Sequence, residues 1–248
     1  MKTASYGRIV FGASAVLFGV IALMWHDPDT WQSLSSFWKL PAGNIVGGVL
    51  MIALIAGSIL LVFPRGARPA SIVLVVVYAL FSLACVPGIV AAPRVFGQYD
   101  GFFEQFSLLS GAVAVYAATA GSGVQETLSR AARLGFGLSV ISFTLAQIVY
   151  LRVTADLVPT WIPPNQMFWA ILTTIAFALA AIAILINVRA RLALRLLTLM
   201  LALFGLLVWV PRLIAHPEAH GNWSEFALNF LITGAAWIVA ESTATASV

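Results

Sequence analysis

Charge is what this chain has least of. Asp, Glu, Lys and Arg make up 9% of its 248 residues while 61% are hydrophobic, against roughly 25% charged and 45–50% apolar in soluble domains. A soluble fold of this length has too little polar surface to cover so many apolar side chains. The composition therefore excludes one and implies an integral membrane protein in a lipid bilayer. Cysteine is as scarce. Cys85 stands alone inside an apolar run, which excludes an internal disulfide or a CxxC redox pair and leaves a small packing residue. The three histidines, His26, His216 and His220, all lie outside the apolar runs, so none is placed to ligate haem between helices. No Walker, GxSxG, HExxH or dinucleotide fingerprint occurs in a usable context. The net charge of +4 is read through where the charges sit, not as a nucleic-acid signal, and no nucleic-acid partner is expected.

Long apolar runs are what the chain does have. A spanning helix needs about 20 mainly apolar residues, and eight segments qualify: 7–24, 43–63, 70–91, 102–120, 133–151, 167–186, 192–210 and 225–240. None shows the strict alternation of a membrane β-strand, so all are read as helices. The fold class is all-α, polytopic. With eight spans both termini share a side. Lys2, Arg8, Arg65, Arg68, Arg130, Arg133, Arg189, Arg191 and Arg195 gather on that side, and only Lys39, Arg94, Arg152 and Arg212 on the other. The positive-inside rule then places both termini in the cytoplasm, in a bacterial-type inner membrane. The first segment has a basic start like a signal peptide, but "MWHDPDTW" follows it with no small-x-small site, so it is expected to be retained.

The two halves resemble each other. "RIVFG" at Arg8 matches "RLGFG" at Arg133, "WKLP" at Trp38 matches "WIPP" at Trp161, Arg65 matches Arg189, and "VP" at Val86 matches "VP" at Val210, with Pro93 matching Pro217. These anchors run in order at offsets of 123–125 residues, the signature of an internal repeat. Four spans per half make the repeats parallel, related by a pseudo-two-fold axis along the membrane normal. The expected organisation is a first four-helix unit over 1–121, a polar cytoplasmic linker over 122–132 and a second unit over 133–248, as two bundles side by side.

The stretch "LVPTWIPPNQMFW", Leu157–Trp169, combines three prolines and two tryptophans with no charge. It falls in the outer loop before the sixth span. Tryptophan favours the membrane interface and proline the start of a helix. The stretch therefore reads as an interfacial anchor, with a lid over a cavity between helices as the functional alternative. The same loop carries a resemblance. "VP-x-W-x-PP" followed by "FWA", then a later "VP" at Val210–Pro211 and "NW" at Asn222–Trp223, resembles the DoxX-like membrane proteins, whose units are four helices. The likeness covers most of the chain as two such units in tandem. It implies an accessory subunit of a quinone-linked respiratory complex, with quinone as the cofactor. Many members carry a glutamate in the second span of the unit, and neither half of this chain has one.

Ionisable residues deep in a membrane are functional candidates by default. Here Glu104 and Glu225 are expected near the outer starts of the fourth and eighth spans, and no proton relay crosses the bilayer. Ser82, Ser107, Ser110, Ser142, Thr144, Gln147, Thr173, Thr174 and Asn229 are the polar residues at depth, expected to bond to neighbouring helices. Gln147 and Asn229 are the two of most interest should they face a cavity. Arg152, Trp161, Arg212, Trp223 and Glu225 converge on the outer face of the second half as a candidate ligand site, where an arginine beside aromatics suits a lipid phosphate, a quinone carbonyl or a partner's carboxylate. His216 and His220, four apart, are weak metal candidates without a third ligand; no haem, metal or catalytic residue is expected. Three functions follow in order: accessory or scaffold subunit with a protein partner; transporter or receptor for a small apolar or lipid-like molecule between the repeats; and an enzyme acting on a quinone or lipid.

Overall fold

The computed structural model describes residues 5–27, 30, 31, 34 and 41–245, and the regular structure among them is helical throughout, with no strand. Ten α-helices follow one another: α1 (Tyr6–Trp25), α2 (Gly43–Val62), α3 (Ala67–Ala91), α4 (Phe96–Ala117), α5 (Ser122–Val149), α6 (Leu151–Leu157), α7 (Gln166–Leu185), α8 (Ala190–Phe204), α9 (Val210–Ala215) and α10 (His220–Thr245). A π-helical turn, Gly205–Trp209, joins α8 to α9. Where no water reaches the backbone, each N–H and C=O must be satisfied within its own segment, and apolar runs of this length satisfy that only as helices.

Seven helices are long and apolar enough to cross a membrane: α1, α2, α3 with its leading turn, α5, α7, the α8–α9 unit and α10. The chain is a multi-pass membrane protein. The segment expected as the fourth of eight spans is the 22-residue helix α4, which is not among those seven. It begins six residues earlier than its apolar run and so takes in Asp100. Likewise α10 starts at His220 rather than at 225. Hydropathy finds where lipid is met, and helices continue past that point wherever protein packs against them. The polar stretch 122–132, read as a linker, is helical and forms the first turns of α5.

The polarity of the surface is inverted relative to a soluble protein. Ile52 and Ile59 on α2, Val76 and Leu83 on α3, Leu179 and Ile182 on α7, and Leu196 and Leu199 on α8 are all exposed. In water each would cost about 25 cal/mol per Å² of apolar surface; against lipid they cost nothing. The interior is held instead by small residues that let backbones approach, because lipid tails give helices no hydrophobic reason to associate. α10 is central: it packs on α1, α4, α5 and α8. A Cβ on Gly234 would lie 2.6 Å from the Phe11 backbone nitrogen of α1, and one on Gly111 of α4 would lie 2.8 Å from the Ala235 Cβ. α1 also packs on α2, α2 on α3, α3 on α4, α4 on α5, α5 on α7 and α7 on α8.

The polar residues at depth mostly do not bond to neighbouring helices, contrary to expectation. The hydroxyls of Ser82, Ser107, Ser110, Thr144 and Thr173 each donate to a carbonyl three or four residues earlier in their own helix. That bond is available at any position in a helix and needs no matching partner across the interface. The Thr174 hydroxyl does cross, its single hydrogen shared between Gln147 Oε1 at 2.9 Å and Ala170 O at 2.7 Å.

The α1–α10 contact sets up a paired test. Alanine is a better helix former than glycine by about 1 kcal/mol, and Gly48 has no neighbour within 4 Å of a built Cβ, so Gly48→Ala is neutral or stabilising. Gly234→Ala forces α1 off α10 and lowers stability by about 1–3 kcal/mol, the usual cost of overpacking. Thermal unfolding of both variants in one detergent checks this, and equal melting temperatures would mean that the two helices are not in close contact.

Candidate functional site

A cavity of about 610 Å³ opens at the end of the bundle where α7 and α10 begin. Phe143 and Gln147 of α5, Tyr150 between α5 and α6, Thr154 of α6, Trp169, Thr173 and Phe177 of α7, Phe204 of α8, and Glu225 and Asn229 of α10 form its wall, and α4 adds Asp100 and Glu104. Pro159 and Ile162 of the Pro/Trp loop also line it. Helical spacing explains the α10 contribution: Glu225, Leu228, Asn229 and Ile232 recur every three or four residues on one face.

Local features hold this wall in shape. Asn165 ends the loop by accepting the Phe168 backbone N–H at 2.8 Å, an N-cap on α7. The expectation that proline itself starts this helix is thus corrected. Prolines 163 and 164 precede the cap, and a side-chain acceptor does what proline cannot. Gln166 Nε2 donates to Val158 O at 2.6 Å, and Trp169 Nε1 to Pro163 O at 2.8 Å, which ties the loop back onto α7. On the opposite wall the π-helical turn carries Leu207, Val208 and Trp209 into the cavity. A Cβ on Gly205 would meet Phe230 at 2.4 Å and Asn229 Oδ1 at 2.8 Å, so only glycine lets α10 come this close. Single π-turns within helices are frequent at functional sites.

The electrostatics are one-sided. Asp100, Glu104 and Glu225 line the cavity, and no Lys, Arg or His does among the described residues. Asp100 and Glu225 are electrostatic neighbours. Asp100 Oδ1 and Asn229 Oδ1 are buried without a hydrogen-bond partner among the described residues. Most buried polar atoms are paired, so two orphan acceptors on one cavity are notable for their shared location.

Of the five residues the sequence nominated, the structure places Glu225 on the cavity wall. Trp161 is 71% exposed and Arg152 is exposed. Arg212 stands over the Trp209 ring at 5.7 Å, behind the cavity wall rather than in it. Trp223 donates from Nε1 to Pro217 O at 3.0 Å and lies beside Trp25, 6.5 Å between centroids. These four were nominated for a shared outer face of the second half, and none of them is among the residues that line the cavity. Gln147 and Asn229, singled out as cavity candidates, do line it. Asp100, Tyr150, Trp169 and Trp209 were missed as site residues. The one signal available was Asp100 and Glu104 together in an otherwise apolar helix, and it was read as a helix end.

His216 and His220 engage separate carboxylates. His216 Nδ1 is 3.3 Å from Glu218, both exposed, while His220 Nδ1 donates to Asp27. No group of three His, Cys, Asp or Glu suited to a metal occurs among the described residues. His220 also stacks on Trp25, with centroids 4.1 Å apart and planes at 10°, and the Ser224 hydroxyl donates to Thr30 O at 2.8 Å. This cluster pins the loop after α1 to the start of α10. Trp31 is buried, its Nε1 donating to Ala22 O at 3.3 Å and its ring against Gly47. Trp38 and Lys39 lie outside the described residues.

The chain matches no family model, no curated protein and no solved structure.

The Asp27–His220 contact carries a pH prediction. Burial works to raise the Asp27 carboxyl, but hydrogen bonds from His220 and Thr30 outweigh it and hold the group below its ordinary value of 3.8. A carboxylate lowered in the folded state stabilises above its unfolded value, and that stabilisation disappears as pH falls through the folded one. Asp27→Asn therefore lowers the melting temperature at pH 7, and the gap to wild type closes below about pH 3.8. A gap that stays constant from pH 7 to pH 3 would show that the carboxylate charge is not what holds this corner.

Proposed function

We propose that the chain binds a small, largely apolar molecule in the cavity beneath the Pro/Trp loop, as a transporter or receptor. The observation that carries this is the cavity itself. Its 610 Å³ lies in the range of small-molecule sites, which are mostly apolar clefts with a few convergent polar groups. A scaffold needs no such space, and a void of this size inside a helix bundle forfeits packing contacts. The accessory-subunit reading rests on the DoxX-like resemblance and the apolar surface alone.

The wider reading is of eight spans in two parallel four-helix repeats, in a bacterial-type inner membrane with cytoplasmic termini. Three features support it. At about 1.5 Å per residue, α4 has the length to cross a bilayer. The helix pairings of the halves correspond: α1 packs on α10 as α5 packs on α4, and α4 meets α10 between them. The arginines of the α2–α3 turn, the start of α5 and the start of α8 lie away from the cavity end, which is then the outer one. The cavity sits where the first repeat's last helix meets the second repeat, and Pro159 and Ile162 make the loop its cover.

Native mass spectrometry from lipid nanodiscs tests the binding reading. The wild type retains a small molecule. Ala176→Trp, which fills the cavity from α7, retains none while keeping the wild-type melting behaviour. A bare wild-type chain that reproducibly holds a second protein would instead establish the subunit reading.

A further inference from the structure

The chemistry of the cavity wall narrows the ligand, given the binding reading above. A carboxylate lining an apolar site either takes up a proton or is compensated by a partner, because an isolated charge away from water is expensive and intramembrane acids are almost always paired. Here Asp100 and Glu225 face one space and the described wall offers no cation. Glu225 is half-buried on α10 with Asp100 as its electrostatic neighbour, a like charge that adds to the cost. The two buried orphan atoms, Asp100 Oδ1 and Asn229 Oδ1, are both acceptors. The lining carries no Lys, Arg or His among the described residues, and the Ser142 hydroxyl is the donor that stands beside Asp100. Around that place stand Trp169, Phe177, Phe204 and Trp209, whose ring faces attract cations.

We propose that the ligand is a protonated hydrophobic amine whose ammonium group sits between Asp100 and Glu225 and whose apolar body lies against Phe143, Phe177 and Phe204. The N–H groups supply the donors that Asp100 and Asn229 lack. The positive charge offsets the carboxylates, and the aromatic faces contribute wherever the ammonium is desolvated. The apolar body explains why most of the wall is hydrocarbon: it replaces lipid or water with close contacts of its own. A neutral ligand of the same shape, a quinol or an alcohol, would offer a donor without the charge, and the acids would become neutral only by taking up protons.

Matched pairs of ligands separate charge from shape. Cyclohexyl, adamantyl and 4-phenylbutyl amines, each with its corresponding alcohol, are titrated at pH 7 against the full chain in nanodiscs of zwitterionic lipid, with empty nanodiscs as the partition control. The wild type binds at least one amine ten or more times more tightly than its alcohol. The doubly neutralised variant, Asp100→Asn with Glu225→Gln, loses that preference and keeps its affinity for the alcohol. Ala176→Trp loses both. Alcohols bound as tightly as amines by the wild type would overturn the cationic ligand and leave the binding cavity standing. Binding of neither, in the wild type, would overturn both. The wild-type comparison decides the proposal even where the double variant does not fold.

Discussion

The backbone contact between α1 and α10 is the constraint on which the rest of the structure rests. Lipid offers these helices no hydrophobic drive to associate, so they are held by close packing and by whatever polar groups they share. Gly234 allows α10 to touch the Phe11 backbone, and Gly111 allows α4 to reach Ala235. With α10 fixed in the middle, its first turns are fixed as well. The Asp27–His220 bond, the His220–Trp25 stack and the Ser224–Thr30 bond clamp those turns to the loop after α1. One helical turn further in, Glu225 and Asn229 point into the cavity. The rigid centre of the fold and its candidate site thus lie on one helix.

Around this centre, polarity is distributed by a simple rule. Most hydroxyls at depth donate to a carbonyl of their own helix and drop out of the inter-helix account, while those of Ser58, Tyr78 and Ser142 have no hydrogen-bond partner among the described residues. The cavity gathers Asp100, Glu104, Glu225, Asn229, and Gln147 with its bond from Thr174. The π-helical turn and Gly205 bring α8 and α10 close together at that place. An inner surface that is acidic, rich in acceptors and rimmed by aromatic rings is a specification for a cationic guest, written by packing rather than by any short motif.

The sequence was most informative where one physical effect acts alone. Uninterrupted apolar runs such as "IVLVVVYALF" can only be helices in lipid, and they are. It misled where two effects compete. α4 and α10 start earlier than their apolar runs because protein contacts carry a helix through polar residues such as Asp100 and Ser224. Trp161, Arg152 and Arg212 were nominated for a shared outer face, whereas membership of the cavity depends on which side chains turn inward and on neighbours from elsewhere. Gln147 and Asn229 were legible because an amide within an apolar helix must face away from lipid.

The sequence by itself determined that this chain lives in a membrane, that it is helical, and that its polar residues turn inward, because each follows from the cost of exposing a group to hydrocarbon. The tertiary structure alone decided that Asp100, from the first half of the chain, stands beside Glu225, from the second. Their separation of more than a hundred residues carries no local signal. Only the meeting of α4 with α10, permitted by small side chains at their crossing, brings two like charges to a single apolar cavity.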